Sequence, residues 1–183
     1  MPPVFKLIKI SFLADISKIR IKKFYLVIII ISNERKFFKM IEQDTIKLLR
    51  ECDAGVKMGV SSIDDVLEYV SDEELKTLLS ECKENHKKLE NELEELLEKY
   101  NDDGKEPAVI AKSMSWMKTN VKLAMKESDE TIADLMTDGC NMGVKSLNKY
   151  LNKYEAADEV SKDITKKLIN LEEKLAVDIR KFL

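Results

Sequence analysis

Glycine and proline are scarce. The 183-residue chain holds 5 and 3 of them, well below the usual combined share of about 12%. Sandwiches, barrels and most α/β folds need a turn every few residues, so this shortage argues against all three. Cysteine is sparse as well. The three present are an odd number with no Cys-x-x-Cys spacing, which fits neither a disulfide framework nor a structural zinc site. A reducing, cytoplasmic setting is the expectation that follows. There is a single histidine and a single tryptophan. Long apolar runs are also missing: the longest near the N-terminus is Phe24 to Ile31, eight residues, where a spanning helix needs about twenty.

Charge is abundant and unevenly spread. Residues 1–39 carry nine Lys and Arg against two acids, a net +7, whereas residues 40–183 carry 22 against 32, a net −10. The acidic balance of the longer part argues against a dedicated nucleic-acid binder. A boundary between a basic, β-branched extension (1–39) and an acidic, helix-periodic body (40–183) is therefore expected.

Three readings fit the extension. It docks on the body as an edge strand or helix; it anchors weakly to a membrane surface, since Lys and Arg flank apolar residues; or it is a mis-assigned start. A secretory signal is not among them, because Ser32-Asn33-Glu34-Arg35-Lys36 follows the apolar run where small cleavage-site residues belong. Asn33 to Lys36 can be encoded by a purine-rich, ribosome-binding-like stretch a few codons before Met40, which is the argument for the third reading. The mass of the native N-terminus separates them: a start at Met40 supports the third, and a mature peptide from within residues 5–30 excludes it.

From Asp44 onward, apolar residues recur at spacings of three and four, the mark of amphipathic helices. The first stripe is Leu49, Cys52, Val56, Gly59, Ile63, Val66 and Val70. Ser71-x-x-Glu74 reads as a capping box that opens a second helix. Its stripe is Leu75, Leu78, Cys82, His86, Leu89, Leu93, Leu96 and Tyr100, and Asn101 to Gly104 stops it before Pro107. Ser128 or Asp129 caps a third helix with Ile132, Leu135, Gly139, Gly143, Leu147, Tyr150 and Tyr154 inward. Asp158 caps a fourth with Val160, Ile164, Leu168, Leu171, Leu175, Ile179 and Phe182 inward. Short turns make two hairpins, while the link between them is long and itself periodic through Ile110, Met114, Met117, Val121 and Ala124. One long helical crossover lets the third helix run parallel to the second, as in a ferritin-like four-helix bundle.

An internal repeat points the same way. Residues 55–70 align without gaps on 139–154 at an offset of 84, with Gly55/139, Met58/142, Gly59/143, Val60/144, Ser62/146 and Leu67/151 identical. Each copy carries Gly-x-x-Met-Gly inside a helix, where a glycine costs about 1 kcal/mol against alanine. The plain reading is that small residues let the first and third helices cross closely; a gap that admits a ligand or metal is the other.

The segments ECDAGVKMGV, KSMSWMKTNVKLAM and DETIADLMTDGCNMGVKSLNKYLNKY resemble an uncharacterised bacterial family of ferritin-like four-helix-bundle proteins. The resemblance covers about residues 43–183 and leaves the extension outside. It implies a ferritin-like fold and ancestry, and no established activity.

Ferritin-like di-iron proteins place one Glu on each of two helices and Glu-x-x-His on the other two. Here Lys83 stands three before His86, Leu175 and Ala176 stand three after Glu172 and Glu173, and the third helix offers no glutamate after Glu130. At least three ligands of the paired-iron set are missing, which argues against a di-iron oxidase or ferroxidase of the usual kind. A poorer site would use His86, Glu90 one turn on, and Glu172, which lies at an offset of 86 from His86; these three could hold one divalent ion. The alternative is a packed histidine satisfied by a carboxylate. A phosphoryl-accepting histidine needs an exposed ring, and His86 falls on an inward stripe.

Cys52, Cys82 and Cys140 fall on or beside apolar stripes and read as buried, inert thiols. Trp116 reads as an anchor for the crossover. Glu90, Glu92, Glu94, Glu95 and Glu98 form an acidic end to the second helix, a solvated face supported by lysines one turn away. The body shows no phosphate-cradling loop, Ser/His/Asp set or basic groove. The resulting expectation is a cytoplasmic, non-catalytic ferritin-like bundle with a role in stress or protein interaction, compatible with a homodimer, with no cofactor. A degenerate bundle binding iron or another divalent ion through His86, Glu90 and Glu172 is the alternative.

Overall fold

The computed structural model describes residues 4–104 and 128–183, with side chains from residue 28 onward. Among these residues the chain is all-helical: α1 (Val4–Leu67), α2 (Glu73–Glu98), α3 (Asp129–Lys153) and α4 (Glu159–Asp178), the last continuing into a short 3-10 turn, Ile179–Phe182. The expected crossover, with Ile110, Met114, Trp116 and Met117, lies outside the described residues.

The chain divides into two units, Met1–Met40 and Ile41–Leu183. The first is helical from Val4 despite its strand-like composition, and Ile28 to Ile31, Phe37 and Phe38 are exposed. The helix does not begin at Asp44: residues 32–44 continue it without a break.

In the second unit, four amphipathic stripes meet in two apolar clusters. One gathers Ile63, Val66 and Val70 with Leu75 and Leu79, Ile132 and Met136, and Leu175 and Ile179. The other gathers Leu48, Leu49 and Val56 with Leu89, Leu93 and Leu97, Leu147 and Tyr154, and Ile164 and Leu168. The order in which each helix visits the clusters fixes its direction. The second-unit part of α1 runs with α4, and α2 runs with α3 in the opposite sense.

Several stripe positions differ from the sequence expectation. Leu79 and Leu97 are buried where Leu78 and Leu96 were expected, the latter pair being only half-buried. Adjacent leucines lie 100° apart on a helix, and periodicity alone does not choose between them. Val160 is exposed rather than inward, because it sits in the first turn of α4, where the helix has barely entered the core. The capping box is not used as predicted either. Asp72, not Ser71, caps α2, its carboxylate accepting from the amides of Glu74 and Leu75 at 2.8 and 2.9 Å. Ser128 caps α3 and Asp158 caps α4.

The two hairpin turns are each held by the opposite hairpin. Asp129, at the start of α3, accepts from the amides of Ser71 and Asp72 in the α1–α2 turn at 2.9 and 2.8 Å. At the other end, Asp44 and Thr45 of α1 accept from Ala156 and Asp158 in the α3–α4 turn at 3.4 and 2.9 Å. These contacts satisfy turn amides that have no helical partner. A third tie joins α1 to the end of α2. Arg50 donates two hydrogen bonds to Asp102, at 2.8 and 2.7 Å, and holds that carboxyl below its usual range.

Asp129→Ala removes the acceptor for two turn amides. It is expected to cost about 1–3 kcal/mol, whereas Asp134→Ala on the exposed face of the same helix should stay within about 0.5 kcal/mol. Urea unfolding of the two variants checks the difference.

Candidate functional site

Between the two apolar clusters lies one polar layer, and each helix contributes a residue to it. Along α2 the order is Cys82, His86, Leu89; along α4 it is Leu168, Glu172, Leu175. On α1, Gly59 falls between Val56 and Ile63, and on α3, Gly143 falls between Cys140 and Leu147. The polar layer therefore interrupts the core at the level of the two Gly-x-x-Met-Gly segments.

His86 is 1% exposed. Its Nδ1 lies 3.0 Å from the main-chain oxygen of Cys82 one turn back, and its Nε2 lies 3.1 Å from Glu172 Oε1. A carbonyl oxygen can only accept, so Nδ1 carries a proton. A carboxylate facing Nε2 then calls for a second proton there, which makes the ring an imidazolium. Burial presses the imidazole toward neutrality, but contacts with the Cys82 side chain and with Glu172 outweigh it and raise the ring to about 10. The pair is thus an ion pair at neutral pH between a buried imidazolium and a partly buried carboxylate.

Two of the four repeated glycines, Gly59 and Gly143, face this pair rather than the helix expected to cross them. A Cβ on Gly59 would stand 2.7 Å from His86 Nε2, and one on Gly143 would stand 3.4 Å from the Glu172 carboxyl carbon. Gly55 faces Leu168 of α4, and among the described residues nothing lies within 4 Å of a Cβ on Gly139. The expected α1–α3 role is replaced: Gly59 makes room for His86, and Gly143 lies against Glu172.

Two of the core thiols, Cys140 and Cys52, are held protonated. Burial and the Glu172 carboxylate beside it push the Cys140 thiol far up. Cys52, hydrogen-bonded to Thr165 at 3.1 Å, is pushed up by burial to about 12. All three cysteines are free and buried. A reactive thiolate needs a lowered pKa and access, and Cys52 and Cys140 have neither.

Of the three residues that the sequence nominates for a metal, His86 and Glu172 meet. Glu90 keeps different company: it is raised by burial, opposed by Lys57, and its other charged neighbours are Glu94, Asp53 and Lys87. Among the described residues no three of His, Cys, Asp and Glu form a group that could hold a metal ion. Sequence reasoning overlooked Asp53, fully buried beside Lys57 at 2.7 Å, and the turn-binding pair Thr45 and Asp129. An acid at a helix start is an ordinary cap signal, and only the fold shows that it serves another turn.

No known protein family, curated protein or solved structure matches the chain.

Removing one partner of a buried ion pair strands the other. His86→Ala is expected to cost about 3–5 kcal/mol, while His86→Leu combined with Glu172→Met should be near neutral or stabilising. Gly59→Ala should destabilise by about 1–3 kcal/mol through overpacking against the ring, despite the roughly 1 kcal/mol that alanine adds to a helix. Gly143→Ala, with its looser contact, should be neutral or better. Thermal unfolding of the four variants tests this set.

The pH dependence has a definite sign. Because the folded protein holds the His86 proton more tightly than the unfolded chain, its stabilisation is complete below about 6.5 and is lost as pH rises toward about 10. A melting temperature that falls across this window in wild type, with a flatter profile in the His86→Leu/Glu172→Met variant, is the expected result.

Proposed function

We propose that residues 40–183 form a non-catalytic ferritin-like four-helix bundle, of the uncharacterised bacterial kind that the sequence resembles, which works in the cytoplasm through its surface, in protein interaction or stress. The observation that carries this reading is the occupation of His86. Both ring nitrogens are engaged, one by the Cys82 carbonyl and one by Glu172, so the polar centre is satisfied from within. The residues present do not fit a paired-iron centre: Lys83, Leu175 and Ala176 stand where carboxylate or imidazole ligands belong.

Ferritin-like ancestry by hairpin duplication is supported by two sets of correspondences. Thr45 and Asp129, each binding the opposite turn, lie at the same offset of 84 as the repeated glycines. Gly59 and Gly143 each face a polar residue of their own hairpin's second helix. The opposed directions of α1 with α4 and α2 with α3 support the single-crossover arrangement.

A second reading has one observation in its favour. His86 and Glu172, from different helices, meet at 3.1 Å in the bundle centre, where an imidazole and a carboxylate could share one divalent ion. Titration of the full chain with Fe(II), Mn(II) and Zn(II), repeated on His86→Ala, separates the two. The non-catalytic reading expects no ion bound near stoichiometry by either protein. Stoichiometric binding by wild type, lost in His86→Ala, would establish the second reading.

A further inference from the structure

Among the first-unit residues whose side chains are described, 28–40, large apolar groups are exposed in a few turns. Ile28, Ile29, Ile30 and Ile31 are each about half exposed, at 45, 53, 48 and 45%, and Phe37 and Phe38 follow at 55 and 67%. Four consecutive residues spaced 100° apart point to every side of a helix, so this is not one face awaiting a groove. The same stretch is basic at both ends in sequence, with Lys22 and Lys23 before the apolar run and Arg35, Lys36 and Lys39 after it. Eight apolar residues at 1.5 Å each reach about 12 Å, against a hydrocarbon core of about 30 Å. Among the described residues no helix is long and apolar enough to cross a membrane. An apolar run too short to span, flanked by cations, combines the two attractions that hold a segment at an anionic lipid interface: burial of apolar side chains at the headgroup boundary and charge pairing.

We propose that residues 22–40 of the full 183-residue chain bind the surface of an anionic lipid bilayer, the isoleucines entering the headgroup boundary and the lysines and arginines pairing with lipid phosphates. Charge selects this occupant over a second copy of the chain. Two extensions at +7 each repel one another. The acidic second unit of another copy offers charge, but among its described residues the exposed large apolar side chains are far apart in sequence, as at Tyr69, Met142, Val160 and Val177, with no run to match four consecutive isoleucines. An anionic bilayer supplies both charge and an apolar layer. The proposal goes beyond the function argued for the bundle and does not depend on it.

Cosedimentation of the full chain, its intact mass verified, with phosphatidylcholine vesicles with and without phosphatidylglycerol tests this. Binding to the phosphatidylglycerol vesicles is expected, weakened at least about tenfold by high salt, which screens charge pairing. Ile29→Asp with Ile30→Asp, and separately Lys36→Glu with Lys39→Glu, should each weaken binding at least about tenfold, since apolar and charged contacts act together. Circular dichroism melting of both variants should match wild type, because the substituted isoleucines are exposed. Failure of wild type to bind anionic vesicles overturns the proposal. So does equal binding to neutral vesicles, pelleting without lipid (which would indicate a second copy as the occupant), or a native chain that starts at Met40.

Discussion

The structure turns on the ion pair between a buried imidazolium and a partly buried carboxylate. His86 and Glu172 stand between two apolar clusters made mostly of leucine, isoleucine and valine. Taking a charge out of water costs several kcal/mol per ion, in full for His86 and in part for Glu172, and their attraction offsets this only if geometry is good and the remaining donors are satisfied. Here the second ring nitrogen is satisfied by the carbonyl of Cys82. Room for the ring comes from Gly59. The glycine, the turn of α2 behind the ring and the carboxylate on α4 are therefore one arrangement, and a change in any of them is felt by the others.

A polar layer of this kind does more for register than for stability. Apolar stripes tolerate sliding, because one leucine can replace another at a similar level. A charged ring that must meet one carboxylate cannot slide, so α2 and α4 are fixed at one height. The ends are fixed separately. Asp129 holds the α1–α2 turn, and Asp44 and Thr45 hold the α3–α4 turn. Each hairpin is thus pinned by the other at its tip and at its centre. The apolar clusters between these pins supply the stabilisation; the pins decide which packing is adopted.

Much of the helical architecture was legible from periodicity. The stripes through Val56, Ile63, Leu75, Leu93, Ile132, Leu168 and Leu175 are buried as their spacing implies, and Asp158 caps the last helix. The errors have local causes. Ser71 and Asp72 are both good caps, and a tertiary contact with Asp129 engages the main chain of both while leaving the Asp72 carboxylate to cap α2. Leu78 and Leu79, or Leu96 and Leu97, are equal candidates until the partner helix is known. Gly59 was readable as a place where something comes close, but not as the seat of a side chain from α2 rather than the backbone of α3. The meeting of His86 with Glu172 left only a faint trace, their offset of 86 against the glycine offset of 84. Nothing in the sequence separated Glu90 from them, because one helical turn from His86 is compatible with facing either the centre or the Lys57 side.

The central claim is that His86 is a doubly protonated ring held by Glu172. As the chain contains one histidine, nitrogen-15 NMR of the imidazole reads it without assignment ambiguity. The account predicts an imidazolium with both nitrogens protonated at pH 8, losing its charge only as the pH approaches about 10. A ring that is neutral at pH 8 and titrates near 6.5, the ordinary value for histidine, would contradict it.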